Sequence, residues 1–170
     1  MIGEPLFDAN VIAERVFELG AAISEDYAGR VPLLLGVACP PAPFFTDLAK
    51  AISIPCELDT IAVNRYGDGP GIELAKDAVV AVGGRDVIVV DDTVDTGLTL
   101  RFVVKRLLER RPASLAICAL LDRPHRRIAD LELRYRGFEA PDVYVVGYGM
   151  GYAGRYRELP ALYTHETWPR

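Results

Sequence analysis

The sequence lacks the features that mark export, membrane insertion and nucleic-acid binding. No apolar run in its 170 residues approaches the roughly 20 residues that a membrane-spanning helix needs. The N-terminus has no basic region followed by an apolar core, so we expect no export signal. With 19 Lys and Arg against 24 Asp and Glu, the net charge is −5. Non-specific nucleic-acid binding requires an excess of positive charge, so we expect neither a nucleic-acid partner nor a membrane partner.

Cysteine is scarce, and the chain shows no internal repeat, low-complexity tract or linker. The three cysteines, Cys39, Cys56 and Cys118, are odd in number and have no metal-binding spacing. This pattern is typical of reduced thiols and predicts a cytoplasmic protein. Because single domains commonly contain ~100–200 residues, we expect one domain over residues 1–170.

One stretch, residues 86–99, concentrates the polar groups that could carry chemistry. Val87–Val90 are four consecutive β-branched residues, which predict a strand buried on both faces that ends before Asp91 and Asp92. A polar turn, Asp95-Thr96-Gly97, follows with Thr99, and helical spacing begins at Leu100. A strand, a turn and a helix start arranged in this way direct backbone N–H groups and hydroxyls toward one point, which suits a phosphate.

The two adjacent acids beside that turn suit the hydroxyls of a ribose, or a Mg²⁺ ion that bridges to them. The alternative is an ordinary strand-to-helix turn whose acids cap the helix. Capping needs one acid, whereas this stretch has three, with Thr96 and Thr99 interleaved. We therefore favour the ligand-binding interpretation.

Strand-like and helical spacing alternate along the rest of the chain. Helices are predicted after Asp8 and from Phe44 to Ile52, and strands at residues 33–38, 57–64, 75–82, 114–121 and 143–146. Residues 131–138 alternate like an antiparallel edge strand. Residues 65–71 predict a glycine-rich loop, and from composition alone a hairpin tip without function is the favoured interpretation. The order predicts an α/β fold with a mostly parallel twisted sheet flanked by helices.

The run from Val87 to Thr99 resembles the phosphoribosyl diphosphate (PRPP) motif of type I phosphoribosyltransferases: four apolar residues, two acids, two small or apolar residues, then Asp-Thr-Gly-x-Thr. Shorter matches in the same order extend the resemblance over roughly Asp8 to Glu158, and they are closest to the hypoxanthine-guanine branch. They include Tyr66-Gly67, Leu121-Asp122-Arg123-Pro124, Val145-Val146-Gly147-Tyr148-Gly149 and Arg155-Tyr156-Arg157-Glu158. The resemblance implies the type I phosphoribosyltransferase fold, with a small hood contributed by roughly residues 122–170.

The resemblance also implies an activity: transfer of the 5-phosphoribosyl group from PRPP to a purine or purine-like base, with Mg²⁺, in purine salvage by a cytoplasmic homo-oligomer. Asp95 is then the general acid or base. The implied ribose and 5′-phosphate set is Asp91, Asp92, Thr93, Asp95, Thr96, Gly97, Leu98 and Thr99, and Asp91 and Asp92 would hold Mg²⁺ through ribose or water. The implied base-binding set is Arg123, Tyr144 and Val145. The implied diphosphate side is Cys39, Pro40, Arg65, Tyr66, Arg127 and Arg157.

Four residues at three sites depart from the family pattern. Cys39 and Pro40 replace a basic residue and a glycine in the diphosphate loop, Gly151 replaces an Asp that helps to ligate Mg²⁺, and Arg123 replaces the Lys that recognises the purine 6-oxo group. The changes at Cys39-Pro40 and at Gly151 support an alternative function, a non-catalytic nucleotide sensor or regulator, whereas Arg123 bears on the choice of base. The intact PRPP motif favours the enzyme. Without the resemblance, Arg123 would be interpreted as a solvated surface residue and Tyr144 as a core aromatic.

Overall fold

In the computed structural model, which describes residues 2–37, 43–66 and 71–166, the chain forms a six-stranded sheet and a three-stranded sheet. The elements are β1 (Ile2–Phe7), α1 (Ala9–Asp26), β2 (Leu33–Val37), α2 (Pro43–Ala51), β3 (Glu57–Tyr66), β4 (Gly71–Lys76), β5 (Asp86–Val94), α3 (Leu98–Leu108), β6 (Ser114–Asp122), a 3₁₀ turn (Pro124–Arg126), β7 (Tyr135–Glu139), β8 (Tyr144–Val146) and β9 (Leu162–His165).

The larger sheet has the strand order β4-β3-β2-β5-β6-β7. Every neighbouring pair is parallel except β3 and β4, which run antiparallel. The predicted α/β class with a mostly parallel sheet is confirmed. Because β5 lies between β2 and β6, its carboxyl end opens at the middle of the sheet edge, where ligands bind in folds of this kind.

Helices cover both faces of the larger sheet. Ile88 and Val90 of β5 pack in the same buried cluster as α1 and α2, whereas Val87 and Val89 belong to the cluster that contains α3. All four side chains are at most 2% exposed. Burying a side chain of this size contributes about 1.5–3 kcal/mol, so the centre of the sheet is a rigid support for the residues that follow. Among the described residues, none of the helices is long and apolar enough to cross a membrane.

The smaller sheet, with the order β1-β9-β8, joins the two ends of the described chain. All its pairs are antiparallel. β1 was not expected from the sequence, because Gly3 and Pro5 disfavour a strand. An edge position tolerates the proline, which cannot donate to a neighbouring strand. The C-terminal strands β8 and β9, within residues 122–170, are therefore completed by an N-terminal strand.

The strand predicted at residues 75–82 is wrong over most of its length. β4 ends at Lys76, and the backbone N–H groups of Val79 and Val80 donate to Asp59 Oδ2 at 2.6 and 2.9 Å. The carboxylate takes the place of a partner strand. Val79 is 85% exposed, whereas a valine in a buried strand would be covered by its neighbours.

Two further predictions at strand boundaries are corrected. Residues 131–138 do not form an antiparallel strand, since β7 starts only at Tyr135 and pairs parallel with β6, although it does lie at the sheet edge. β5 does not end at Val90 but continues to Val94, with Asp91 opposite Ala119 and Thr93 opposite Leu121 of β6. The adjacent acids therefore lie within a strand, on backbone held by its neighbour.

Candidate active site

A cavity of about 420 Å³ opens at the carboxyl end of β5. Six residues of the implied ribose and phosphate set line it: Asp91, Thr93, Asp95, Thr96, Gly97 and Thr99. The other lining residues are Val37, Ala62, Val63, Asn64, Val94, Leu100 and Arg126. Asp92 and Leu98 belong to the same stretch but do not line this cavity. The structure thus brings most of the PRPP-like motif to one concave surface.

The turn between β5 and α3 depends on Gly97. This residue has φ 77°, a left-handed conformation that costs glycine little, and an added Cβ would lie 3.0 Å from Arg127 Cδ. The Leu98 N–H lies 3.4 Å from Thr96 Oγ1, at the start of α3. The first N–H groups of a helix have no partner within the helix, and the helix dipole is positive there. The turn can therefore bind an anion through backbone N–H groups and the hydroxyls of Thr96 and Thr99.

A neighbouring segment braces this turn from outside the cavity. Arg127 Nε donates to Asp95 O at 3.2 Å, and the Arg127 guanidinium also pairs with the Asp122 carboxylate. The backbone N–H groups of Ile128 and Ala129 both donate to Thr96 O at 2.9 Å. Arg127 does not line the cavity, and its contacts are those of a structural arginine.

Arg126, the preceding residue, does line the cavity. Its Nη1 is 3.2 Å from Asp142 Oδ1, in the loop before β8. Arg126 was not identified as a site residue from the sequence. Arg126 ends the 3₁₀ turn and Arg127 follows it directly. Two adjacent arginines carry no periodic signal that would show which one lines the cavity, so only the folded backbone distinguishes them.

Asp91 and Asp92 are adjacent, interacting carboxyl groups in β5. Burial raises the pKa of both, and the negative charge of Asp92 raises the pKa of Asp91 further. The Arg157 guanidinium acts in the opposite direction on the pKa of Asp92. An acid pair of this kind is stabilised when a cation or hydroxyl donors approach it.

The structure pairs Asp95 with Arg123. Arg123 Nη1 lies 3.0 Å from Asp95 Oδ1, and the Asp95 side chain keeps 43% of its surface exposed. Arg123 follows the end of β6, and its N–H donates to Val94 O at 3.0 Å, which fixes it beside β5. Because Arg123 is only 4% exposed, its interpretation as a solvated surface arginine is wrong.

Tyr144 and Val145 of the implied base-binding set lie in β8 and do not line the first cavity. The Tyr144 hydroxyl donates to Gly151 O at 3.0 Å, and its ring packs edge-on against Tyr152 with centroids 5.5 Å apart. Tyr144 instead lines a second cavity of about 330 Å³ with Asp142, Val143, Thr164, His165 and Glu166. Val145 is 5% exposed, so its side chain is buried in the core.

The implied diphosphate residues are only partly described. Cys39 and Pro40 lie outside the described residues, as do the side chains of Arg65 and Tyr66. Arg157 is exposed, and its Nη1 donates to Gly149 O at 2.6 Å.

The donor set fits a magnesium ion only in part. Mg²⁺ prefers oxygen ligands in octahedral geometry and usually keeps several waters, so two carboxylates from Asp91 and Asp92 suit an ion that also binds a ligand. In the part of the chain that the structure describes, no group of three or more His, Cys, Asp or Glu residues could hold a metal by itself. A protein-only metal cage is therefore absent from the described residues.

Comparison with known proteins identifies the relatives of this chain. Residues 4–153 match the phosphoribosyl transferase domain family. The hypoxanthine-guanine phosphoribosyltransferase of Bacillus subtilis is 39% identical over 165 residues, covering 95% of this chain and 92% of the relative. The hypoxanthine phosphoribosyltransferase of Salmonella typhimurium is 41% identical over 155 residues, covering 88% and 87%.

Solved structures agree with these sequence matches. A hypoxanthine-guanine phosphoribosyltransferase from Bacillus anthracis superposes with a TM-score of 0.91 at 36% identity, covering 96% of this chain and 98% of that one. A hypoxanthine phosphoribosyltransferase from Staphylococcus aureus gives 0.92 at 35% identity, covering 96% and 91%. This chain therefore shares its fold with these proteins over nearly the whole length of each chain.

Proposed function

The chain belongs to the phosphoribosyltransferase family, and from that premise we propose that it is an enzyme that transfers the 5-phosphoribosyl group from PRPP to a purine base and releases diphosphate. The observation that carries the proposal is the cavity in which Asp91, Asp95 and the Thr96-Gly97 turn meet. The relatives named above are hypoxanthine and hypoxanthine-guanine phosphoribosyltransferases, which supports a 6-oxopurine as the acceptor.

Two groups of residues at the cavity are proposed to bind two parts of the substrate. The turn from Asp95 to Thr99, with backbone N–H groups at the start of α3 and two threonine hydroxyls, holds the 5′-phosphate. The acid pair Asp91 and Asp92 lies in β5, just before this turn. These carboxylates accept hydrogen bonds from the ribose hydroxyls. Mg²⁺, bound through these carboxylates and the ribose or water, would supply positive charge for the diphosphate.

Asp95 is the group proposed to move the proton. A ring nitrogen of the base attacks C1′ as the bond to diphosphate breaks, and the ring proton of the base must then leave. A carboxylate beside the cavity can take that proton. The Asp95 side chain is half-exposed, so its carboxylate can reach the base. The 3.0 Å contact between Asp95 Oδ1 and Arg123 Nη1 fixes the orientation of that carboxylate.

Arg123, Tyr144 and Val145 are proposed to bind the base. The guanidinium of Arg123 presents donors in a planar fork, which suits an exocyclic oxygen and an adjacent ring nitrogen. The Tyr144 ring, fixed by its hydrogen bond to Gly151 O, is proposed to stack on the purine, and the backbone of Val145 to contact its edge. Arg127 braces the phosphate turn, and Arg157 is proposed for the diphosphate side, as are Cys39, Pro40, Arg65 and Tyr66.

A second candidate function is a nucleotide sensor that keeps the phosphate turn without turnover. The glycine at position 151, in place of a metal-binding carboxylate, favours it. We also propose a cytoplasmic homo-oligomer. The free thiols of Cys56 and Cys118 support the reducing compartment, and the exposed apolar side chains Val11 and Phe17 on α1 offer a contact surface.

The test is diphosphate release from PRPP and Mg²⁺ with hypoxanthine, guanine, xanthine or adenine, together with calorimetry of the matching nucleoside 5′-monophosphates. The enzyme predicts turnover with at least one 6-oxopurine and weaker turnover with adenine. Micromolar monophosphate binding with no turnover of any base would favour the sensor. Absence of both would contradict the proposal.

A further inference from the structure

Asp122 is a buried acid to which the proposed mechanism gives no role. It ends β6 directly opposite Val94 of β5, and only 5% of the residue is exposed. Its carboxylate pairs with the Arg127 guanidinium and, at 3.3 Å, with Nη1 of Arg136. A buried charge is costly unless it is paired and hydrogen-bonded, so these arginines are held at the end of β6. Asp122 itself does not line the cavity.

Arg127 connects this carboxylate to the turn between β5 and α3. Its Nε donates to Asp95 O at 3.2 Å, and its Nη2 lies 3.5 Å from Val94 O. The Arg127 side chain is largely buried, so water competes little for these contacts. One guanidinium therefore joins a buried carboxylate to two carbonyl groups at the start of the turn.

The backbone of residues 123–129 binds the neighbouring carbonyl groups of the same turn. One of its N–H groups donates to Val94 O at 3.0 Å, and two successive N–H groups donate to Thr96 O at 2.9 Å. With the Arg127 contact on Asp95 O, three consecutive carbonyl oxygens accept from this one segment. The residues that donate to these carbonyls do not line the cavity.

The direction of these carbonyl groups determines the direction of the N–H groups that follow them. In a trans peptide the C=O and the next N–H point in opposite directions within one plane. The N–H groups of Asp95, Thr96 and Gly97 therefore point away from the donors that hold the carbonyls. Because all three residues line the cavity, these N–H groups are available to a ligand there. Rotation of one peptide plane would turn a donor away from a bound phosphate.

We propose that Asp122 is a positioning residue for the 5′-phosphate: through Arg127 it sets the peptide planes of the turn that binds this group. Asp122 contacts neither the substrate nor the reacting atoms. The inference rests on the proposed function for the identity of the ligand, a phosphorylated ribose. Loss of Asp122 should lower the affinity for the phosphate and leave base binding nearly unchanged, because the N–H of Arg123 keeps its own bond to Val94 O.

Calorimetry with inosine 5′-monophosphate and with inosine, which lacks the phosphate, separates this role from a general loosening of the site. Asp122→Asn should weaken monophosphate binding about 10-fold, the size of one hydrogen bond to a charged group, and change inosine binding less than about twofold. KM for PRPP should rise by a similar factor, while KM for the base stays within about twofold.

Asp86→Asn is the matched control. Asp86 lies at the opposite end of β5, and its carboxylate is also largely buried and paired with an arginine, Arg30, at 3.2 Å. The substitution removes an equivalent ion pair from the same strand without touching the turn. It should leave the affinities for inosine 5′-monophosphate and inosine as they are in wild type.

A double-mutant cycle tests whether Asp122 acts through Arg127. Arg127→Met should weaken monophosphate binding at least as much as Asp122→Asn. The double variant should bind no more weakly than Arg127→Met alone, because the carboxylate then has no guanidinium through which to hold the turn. Additive losses would show that Asp122 acts independently of Arg127 and would overturn the inference.

Unchanged monophosphate affinity in Asp122→Asn, or an equal loss of monophosphate and inosine affinity, would also overturn the inference. Removing one partner of a buried ion pair is strongly destabilising, so circular dichroism checks that each variant folds. If Asp122→Asn does not fold, the comparison of monophosphate with inosine in Arg127→Met decides in the same way. Asp122-dependent monophosphate binding without turnover of any base would contradict the proposed function and leave this inference standing, whereas turnover with Asp122-independent binding would do the reverse.

Discussion

Arg123 Nη1 lies 3.0 Å from Asp95 Oδ1, and the two partners differ sharply in exposure: the arginine side chain keeps 5% of its surface and the aspartate 43%. The buried partner cannot move far, so it fixes the direction of the carboxylate that faces the cavity. Removing Asp95 and removing Arg123 should therefore have different effects on the reaction. Loss of Asp95 removes the proposed proton acceptor, and loss of Arg123 removes both its orientation and a donor to the base.

Asp95→Asn should lower turnover by about 10²- to 10⁴-fold, the usual contribution of a general acid or base. The amide keeps the size of the side chain but cannot take a proton. Single-turnover rates of diphosphate release check this, with nucleoside monophosphate affinity as the control that should stay close to wild type. Equal single-turnover rates would remove Asp95 from the chemistry.

Arg123→Met should raise KM for the base about 10-fold or more and leave KM for PRPP within about twofold, since the uncharged side chain offers no hydrogen-bond donor to the base. Steady-state kinetics with the base and PRPP varied separately measure the split. An equal rise in both constants would indicate a general loosening of the site rather than a role in base binding.

Thr96→Val should weaken monophosphate binding by about 10-fold, equivalent to one hydrogen bond of ~1–1.5 kcal/mol. The substitution keeps the shape of the side chain and removes its hydroxyl. Thr46→Val, on the exposed surface of α2, is the matched control and should bind as wild type does. Unaltered affinity in Thr96→Val would mean that the phosphate lies elsewhere.

Asp59 should make stability depend on pH in acid. Burial raises its pKa, but the N–H groups of Val80, Thr60 and Val79 and the Lys76 ammonium outweigh it and lower the pKa to about 2. The folded pKa is below the ordinary 3.8, so the carboxylate stabilises the fold above about pH 4, and this contribution is lost as the pH falls toward 2. The contribution of this carboxylate to the free energy of unfolding is about 2 kcal/mol.

Urea unfolding between pH 2 and 6 measures that contribution. Wild type should lose stability over this window more steeply than Asp59→Asn, in which the titrating group is gone. Asp130→Asn, on an exposed loop, should keep the wild-type slope. Parallel slopes in wild type and Asp59→Asn would show that Asp59 does not stabilise the fold through its charge.

Elements that depend on short-range sequence patterns could be predicted from the sequence. Elements that depend on contacts with distant residues could not. Four β-branched residues identified the central strand, because a strand buried on both faces needs a continuous apolar run. Asp91, Asp95 and Thr96 of the motif line one cavity. The strand at 75–82 failed because a single carboxylate, Asp59, some 20 residues earlier took its backbone N–H groups.

The same distinction between local pattern and distant contact holds for the residues of the candidate site. Arg123 looked like a surface residue from its charge, yet the end of β6 carries it under the turn beside Asp95. Arg126 and Arg127 are chemically identical neighbours, and only the 3₁₀ turn between β6 and β7 directs one to the cavity and the other to Asp122. β1 was missed because Gly3 and Pro5 disfavour a strand and because its partner, β9, lies more than 150 residues away along the chain.

The most direct test of the account is a crystal structure of the protein with inosine 5′-monophosphate and Mg²⁺. The account predicts the 5′-phosphate on the turn from Asp95 to Thr99, the ribose hydroxyls at Asp91 and Asp92, and the purine within reach of Arg123. A nucleotide bound at another surface, with the turn free of phosphate, would contradict it.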